Sequence, residues 1–289
     1  MCQNMTWVKT PKMHHPVLVK CGRCKACQQE KANHRNMRIR NNHKKGQIAL
    51  FVTLTYQNKY IPYVNIKDVH ECYKFFDCNP SRDVYHLSVM RDFTCRRVRI
   101  SGAKRGEDYK MVYKDKKCVK PVFQLSVLRK DLEKLPISNL PSLQGRRGCL
   151  GICYYKDLQD FYKRLRINLS RRYDYQGDFS AYSCSEYGSI TTRPHFHLLL
   201  FIEAKDEALF CSAIHEAWPY ADWPRLPKSI QVAKDAASYV SSYVNRGADF
   251  PPFLELSAFK PKCSYSKAFG LDNVNFTLPA IQEKIRKRD

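Results

Sequence analysis

The chain has 289 residues, enough for one large domain or two small ones, and 50 Lys plus Arg against 27 Asp plus Glu give a formal charge of +23. That excess predicts attraction to a polyanion, and 18 Tyr with 15 Phe among the basic residues suit single-stranded nucleic acid, whose bases stack on aromatic rings. No window is long and apolar enough to span a membrane, and the opening "MCQNMTWVKTPK" lacks the apolar core of a signal peptide.

The 13 Cys are odd in number and scattered from Cys2 to Cys263, which points to a reducing, cytoplasmic setting with mostly free thiols. Residues 1–47 form a basic segment with the tight cluster "CGRCKAC". Cys21, Cys24 and Cys27 are candidate ligands of a structural metal, but zinc needs a fourth ligand; ordinary free thiols are the alternative. Good helix formers from Cys27 to about Asn41 predict a helix. "IALFVTLTY" (48–56) is β-branched and aromatic and reads as a strand. Residues 57–150 carry five prolines and short strand-like runs and read as a large insertion. Within it, "HLSVMRD" (86–92) and "QLSVLRK" (124–130) look alike, as two related strands or by chance.

"YKDLQDFYKRLRINLSRR" (155–172) is the clearest helix, with Leu158, Phe161, Tyr162, Leu165 and Leu169 at helical spacing. Asp157 and Asp160 at its start and Arg171 and Arg172 at its end match the helix dipole. Its outer face carries Lys163, Arg164 and Arg166, either a solvated face or a phosphate-contacting stripe. "DFSAYSCSEYG" (178–188) and "RPHFHLLLF" (193–201) then read as the two strands of a hairpin. A helix at Ala204–Trp218 and a short strand at Ile230–Val232 follow. Asp235 caps a last helix, "DAASYVSSYVNRG", closed by Gly247.

His195 and His197 project from one side of their strand, because residues i and i+2 share a face. They are either core-edge histidines satisfied by hydrogen bonds or metal ligands. Glu186, just before the hairpin loop, comes close to both. Alone it reads as a surface charge; with the histidines it completes a three-ligand set with open coordination positions. Tyr239 and Tyr243 stack on one face of the last helix, with Arg246 next to Tyr243. They are core packing, or nucleophiles toward a phosphodiester with a nearby cation to offset developing charge.

"FVTLTY" (51–56), "RPHFH" (193–197) and "YVSSYVNR" (239–246) resemble the three ordered motifs of the HUH endonucleases, the rolling-circle replication initiators. With "CGRCKAC", "LQDFYKRLR", "SEYGSITTRPHFH" and "HEAW", the likeness extends to the initiators of microviruses, especially the gokushovirus branch. The resemblance covers roughly residues 20–60 and 150–250. It implies an α+β fold: a central antiparallel sheet flanked by helices, HUH-endonuclease-like, with the insertion after the first motif strand. It implies an endonuclease domain at 48–247 between the 1–47 segment and a C-terminal tail, 248–289. It implies Mg²⁺ or Mn²⁺ on His195, His197 and Glu186, and paired nucleophiles at Tyr239 and Tyr243. One tyrosine would nick single-stranded origin DNA through a 5′-phosphotyrosine link, and the other would close the circle. The family pattern is Tyr-x-x-Lys. Here Ser242 and Arg246 stand at the lysine positions, which favours Tyr243 for the first nick and confines Arg246 to electrostatic stabilisation.

Lys163, Arg164, Arg166 and Arg193 are candidate DNA contacts. The insertion is a candidate for origin recognition, and a host helicase and polymerase are candidate partners in a bacterial cytoplasm. Two other classes compete. A non-catalytic single-stranded DNA-binding or packaging protein explains the charge but not the ordered motifs. A non-haem Fe(II) oxygenase explains two histidines and a carboxylate but needs neither +23 nor paired tyrosines.

Overall fold

The computed structural model describes residues 2, 4–9, 14–22, 24–65, 84–99, 109–114, 118–128, 142–143, 146–188, 191–235 and 259–271. A hairpin of β1 (Thr6–Val8) and β2 (Val17–Val19) leads into α1 (Lys25–Asn42). Then come β3 (Gln47–Leu54), β4 (Tyr63–Asn65), β5 (Val84–Arg91), β6 (Thr94–Arg99), β7 (Tyr109–Lys114) and β8 (Cys118–Leu128). Short β9 (Ser142–Leu143), β10 (Arg146–Arg147) and β11 (Cys149–Gly151) precede α2 (Tyr155–Arg172). The hairpin strands β12 (Ser180–Tyr187) and β13 (Pro194–Glu203), then α3 (Glu207–Ala217), β14 (Ile230–Val232) and β15 (Cys263–Tyr265) complete the described elements.

The architecture is α+β. Its centre is a five-stranded antiparallel sheet in the order β14–β3–β13–β12–β15. β13 is the middle strand, and its residues from Phe196 to Ile202 are buried, as an apolar run covered on both faces must be. Phe196, Leu198, Leu200 and Ile202 share one face with Leu50, Val52 and Leu54. That face packs on Leu158, Phe161, Leu165 and Leu169 of α2 and on Phe210, Ala213, Ile214 and Ala217 of α3. The other face is smaller. Ala49, Phe51, Tyr182, Cys184, Leu199 and Phe201 lie under Ile39 of α1 and Phe269.

α1 is therefore fastened to the sheet as well as to the basic N-terminal segment. The Arg38 guanidinium donates to Phe269 O, Asn42 Nδ2 donates to Ser180 Oγ, and Gly270 N–H donates to Asn42 Oδ1. Gly270 takes φ +64°, and a Cβ there would lie 2.1 Å from Arg38 O. Only glycine fits both that backbone conformation and that approach.

The insertion builds a second antiparallel sheet, β11–β4–β5–β8. The two look-alike runs are its paired neighbours: Leu87 faces Leu125 and Ser88 faces Gln124. A buried ion pair links this sheet to α2. Arg91 at the end of β5 contacts Asp157, which also accepts from Tyr56 Oη at 2.8 Å. Asp157 is thus a buried partner of a charge outside its helix, a role beyond the dipole complement read from sequence. α2 occupies the predicted residues, whereas α3 starts at Glu207 after a 3₁₀ turn at Ala204–Asp206. The last helix expected from Asp235 lies, beyond Asp235 itself, outside the described residues.

Candidate metal centre

The register of the central sheet builds the site. Glu186 on β12 lies directly opposite His195 on β13, and His197 lies between Cys184 on one side and Thr53 of β3 on the other. Directly opposed residues project from the same face. So three neighbouring strands bring Glu186, His195, His197 and Thr53 together. His197 Nε2 lies 2.8 Å and His195 Nε2 3.6 Å from Glu186 Oε2. The two imidazoles meet edge to face, with ring centroids 4.8 Å apart. Phe51 stacks on the His197 ring at 5.2 Å.

The outer nitrogens fix the rings. His195 Nδ1 is 3.0 Å from Arg193 O. A carbonyl only accepts, so Nδ1 carries the proton and the neutral ring turns its Nε2 lone pair toward Glu186. His197 Nδ1 lies 3.1 Å from Thr53 Oγ1. Both imidazoles thus have the second partner that orients metal-ligating histidines. Burial opposes the Glu186 charge, but the hydrogen bonds and charges of His195 and His197 outweigh it and hold the carboxyl down at about 2. It is an anion at any ordinary pH. The Cys184 thiol is pushed up by burial, then by Cys263 and Glu186, and stays neutral.

The donor set fits a divalent ion. One carboxylate oxygen and two imidazole nitrogens lie within 4.8 Å of one another. Ligands bound at about 2.1 Å stand ~3.0 Å apart in octahedral and ~3.4 Å apart in tetrahedral geometry. The 2.8 and 3.6 Å separations bracket those values. Three protein ligands leave positions open for an outside oxygen, the pattern of a catalytic rather than a structural site.

Residues 152–248 match the family model of the replication-associated protein ORF2. Over that stretch the chain belongs to this replication-associated protein family. No curated protein and no solved structure matches it. Membership carries a role in replication initiation and hence in DNA binding.

In this replication-associated protein the matched segment runs from the start of α2 through the hairpin and α3, and holds all three candidate ligands. Tyr239, Tyr243 and Arg246 fall inside it but outside the described residues. The basic residues differ in what they touch. Lys163 and Arg166 are exposed, and the Arg166 guanidinium lies over the Tyr162 and Phe179 rings at 5.7 and 5.6 Å. Arg164 Nε donates to Ala217 O at 2.7 Å, tying α2 to the end of α3. Arg193 is half-buried and donates to Asn58 Oδ1 and to Tyr56 O. Thr53 and Cys2 were not singled out from sequence. Thr53 stands within "FVTLTY", and its distance in sequence from His197 hid their pairing. Cys2 lies with Cys21, Cys24 and Cys27. No described helix is long and apolar enough to cross a membrane.

Proposed function

We propose that this protein initiates rolling-circle DNA replication by metal-dependent, site-specific nicking of single-stranded origin DNA. The observation that carries the reading is the convergence of Glu186, His195 and His197 within the segment that matches the replication-associated family. In this reading residues 48–247 are an HUH-like endonuclease domain interrupted by the insertion at about 57–150, between the basic N-terminal segment and the C-terminal tail. Glu186, His195 and His197 would hold Mg²⁺ or Mn²⁺, which supplies Lewis acidity at the scissile phosphate when bound.

The chain's own groups do the rest. Strand pairing holds the two rings and the carboxylate in fixed positions, so no reorganisation is needed when DNA arrives. The Tyr243 oxygen attacks phosphorus. A bond to the tyrosine oxygen forms, the bond to the 3′ oxygen breaks, and the tyrosine proton leaves to solvent or a base. The products are a 5′-phosphotyrosine and a free 3′ hydroxyl that primes synthesis. Tyr239 attacks the regenerated origin, and the freed 3′ hydroxyl then displaces a tyrosine to close the circle. The phosphotyrosine conserves the bond energy, so joining needs no ATP. Arg246 stays cationic throughout and offsets charge developing at phosphorus. Lys163, Arg164, Arg166 and Arg193 are the DNA contacts in this reading, together with the wider +23 charge. Host helicase and polymerase in a bacterial cytoplasm would extend the 3′ end.

The test is incubation with Mn²⁺ and single-stranded oligonucleotides tiling the protein's own replicon, followed by denaturing gels. A covalent adduct is expected with one tile, lost in Tyr243→Phe and in His195→Ala. Tyr239→Phe in the same assay tells whether the tyrosines alternate. Tight binding with no adduct on any tile would make this a non-catalytic single-stranded DNA-binding protein.

A further inference from the structure

Four thiols meet where the N-terminal hairpin joins α1. Cys2 Sγ lies 3.5 Å from Cys21 Sγ and 3.9 Å from Cys24 Sγ, and Cys21 Sγ lies 4.0 Å from Cys27 Sγ. All four sulfurs fall within 4.8 Å of one another, and all four cysteines are free thiols. Sulfurs bound to one zinc ion at ~2.3 Å in a tetrahedron stand about 3.8 Å apart. The three distances straddle that value. A polynuclear iron–sulfur cluster interposes several iron and sulfide atoms and spreads its ligands farther. We propose that Cys2, Cys21, Cys24 and Cys27 form a tetrathiolate zinc site that staples the β1–β2 hairpin to the N-terminus of α1.

The fold needs such a staple. Every residue of β1 and β2 is exposed, Trp7 by 66%, and none joins either hydrophobic cluster. An isolated two-stranded hairpin is marginal in water, and small units without a core are held by disulfides or metals. The hairpin register pairs Thr6 with Val19 and Val8 with Val17, which returns the chain so that Cys2 arrives beside Cys21. That register supplies the fourth ligand missing from the Cys21–Cys24–Cys27 spacing.

The surroundings suit bound thiolates. Cys24 N–H donates to Cys21 Sγ and Cys21 N–H to Cys2 Sγ, each at 3.4 Å. Such bonds orient ligands and favour the anionic sulfur. Gly22 turns the C-x-x-C loop at φ +68°, and Lys31 Nζ donates to its carbonyl at 3.0 Å. Cys24 caps α1 and Cys27 stands in its first turn, where the helix dipole favours negative charge. Zn²⁺ with four thiolates carries a net charge of −2, and the thiol protons pass to solvent on binding.

The full-length protein, purified from zinc-supplemented medium under reducing conditions, should hold one zinc per chain by elemental analysis. A His195→Ala/His197→Ala double variant should keep that zinc, which separates this site from the candidate metal centre. Cys24→Ser should lose it. Co²⁺ in its place should show sulfur-to-cobalt charge transfer and the visible bands of a tetrahedral tetrathiolate. Cys2→Ser, which leaves the C-x-x-C-x-x-C run intact, should lose the tetrathiolate spectrum even if Cys24→Ser does not fold. Absence of any thiolate–cobalt band in the wild type, retention of the full spectrum in Cys2→Ser, or iron in place of zinc would each overturn the proposal.

Discussion

Thr53→Val tests whether the neighbouring strand tunes the candidate metal centre. The change keeps the side-chain shape and removes the hydroxyl 3.1 Å from His197 Nδ1. If a metal takes the Nε2 lone pair, Nδ1 must carry the proton and donate to Thr53 Oγ1. The His197 side chain is only 7% exposed, so the lost bond is a buried one. Losing such a bond costs about 1–3 kcal/mol, and second-sphere losses around metals cost roughly 10–100-fold in affinity. The two scales agree, since 1.4 kcal/mol is about tenfold in an equilibrium constant. Mn²⁺ affinity, measured by calorimetry or by the loss of free-ion electron paramagnetic resonance signal, should therefore fall on the order of 10–100-fold. Thr53→Ser retains the hydroxyl and should stay near wild type. Equal Mn²⁺ affinity in Thr53→Val and wild type, with unchanged folding, would refute the role. So would an equal loss in Thr53→Ser.

Three further outcomes follow from the packing and the site. Arg91→Ala leaves the Asp157 carboxylate buried without its cation, which costs about 3–5 kcal/mol, read as a shift in the urea midpoint; Arg91→Met with Asp157→Leu should recover much of it. Gly270→Ala forces a Cβ against Arg38 O in a left-handed backbone, so the stability loss should be roughly 2–4 kcal/mol by the same measurement. Removing divalent ions with a chelator should abolish adduct formation, and added Mn²⁺ should restore it in wild type but not in Glu186→Gln, as scored on denaturing gels.

What could be read from the chain alone was what local patterns encode. Helical spacing from Leu158 to Leu169 marks α2, and the apolar run after His197 marks the central strand. The same-face placement of His195 and His197 needs only the two-residue period of a strand. A hairpin with Glu186 before its loop then places the carboxylate against them. Contacts between distant segments were not legible. Thr53 meets His197 across 144 positions, and Arg91 meets Asp157 across 66. Nothing in the neighbourhood of either residue announces its partner. Cys2 shows the same limit at shorter range, because only the hairpin register carries it to Cys21. The similarity of residues 86–92 and 124–130 did mark neighbours, but their pairing is a property of the second sheet rather than of either run.

The position of the imidazoles on so apolar a strand has a physical logic. Exposure falls steadily along one face of β13. The side chains run from His195 at 17% to His197 at 7%, and Leu199 and Phe201 are at 0%. α1 and Phe269 cover the far end of that face through Ile39, and the cover thins toward the hairpin loop. Glu186, at 11%, stands on this gradient beside His195. A site deeper in the core would be shut to a nucleic acid strand. A site farther out would sit in water, where the attraction between a carboxylate, a cation and a phosphate is screened. At the rim, the Phe51 ring and the buried strand shield one side of the ligand set while His195 remains reachable from the other. The gradient therefore predicts different costs for the two histidines. His197→Ala opens a hole beside Phe51 and Thr53 and should lower stability by about 2 kcal/mol or more, as other buried truncations do. His195→Ala, at the open end, should leave the urea midpoint nearly unchanged while removing a ligand, so it is the better variant for separating chemistry from folding. A larger stability loss for His195→Ala than for His197→Ala would contradict this placement of the site.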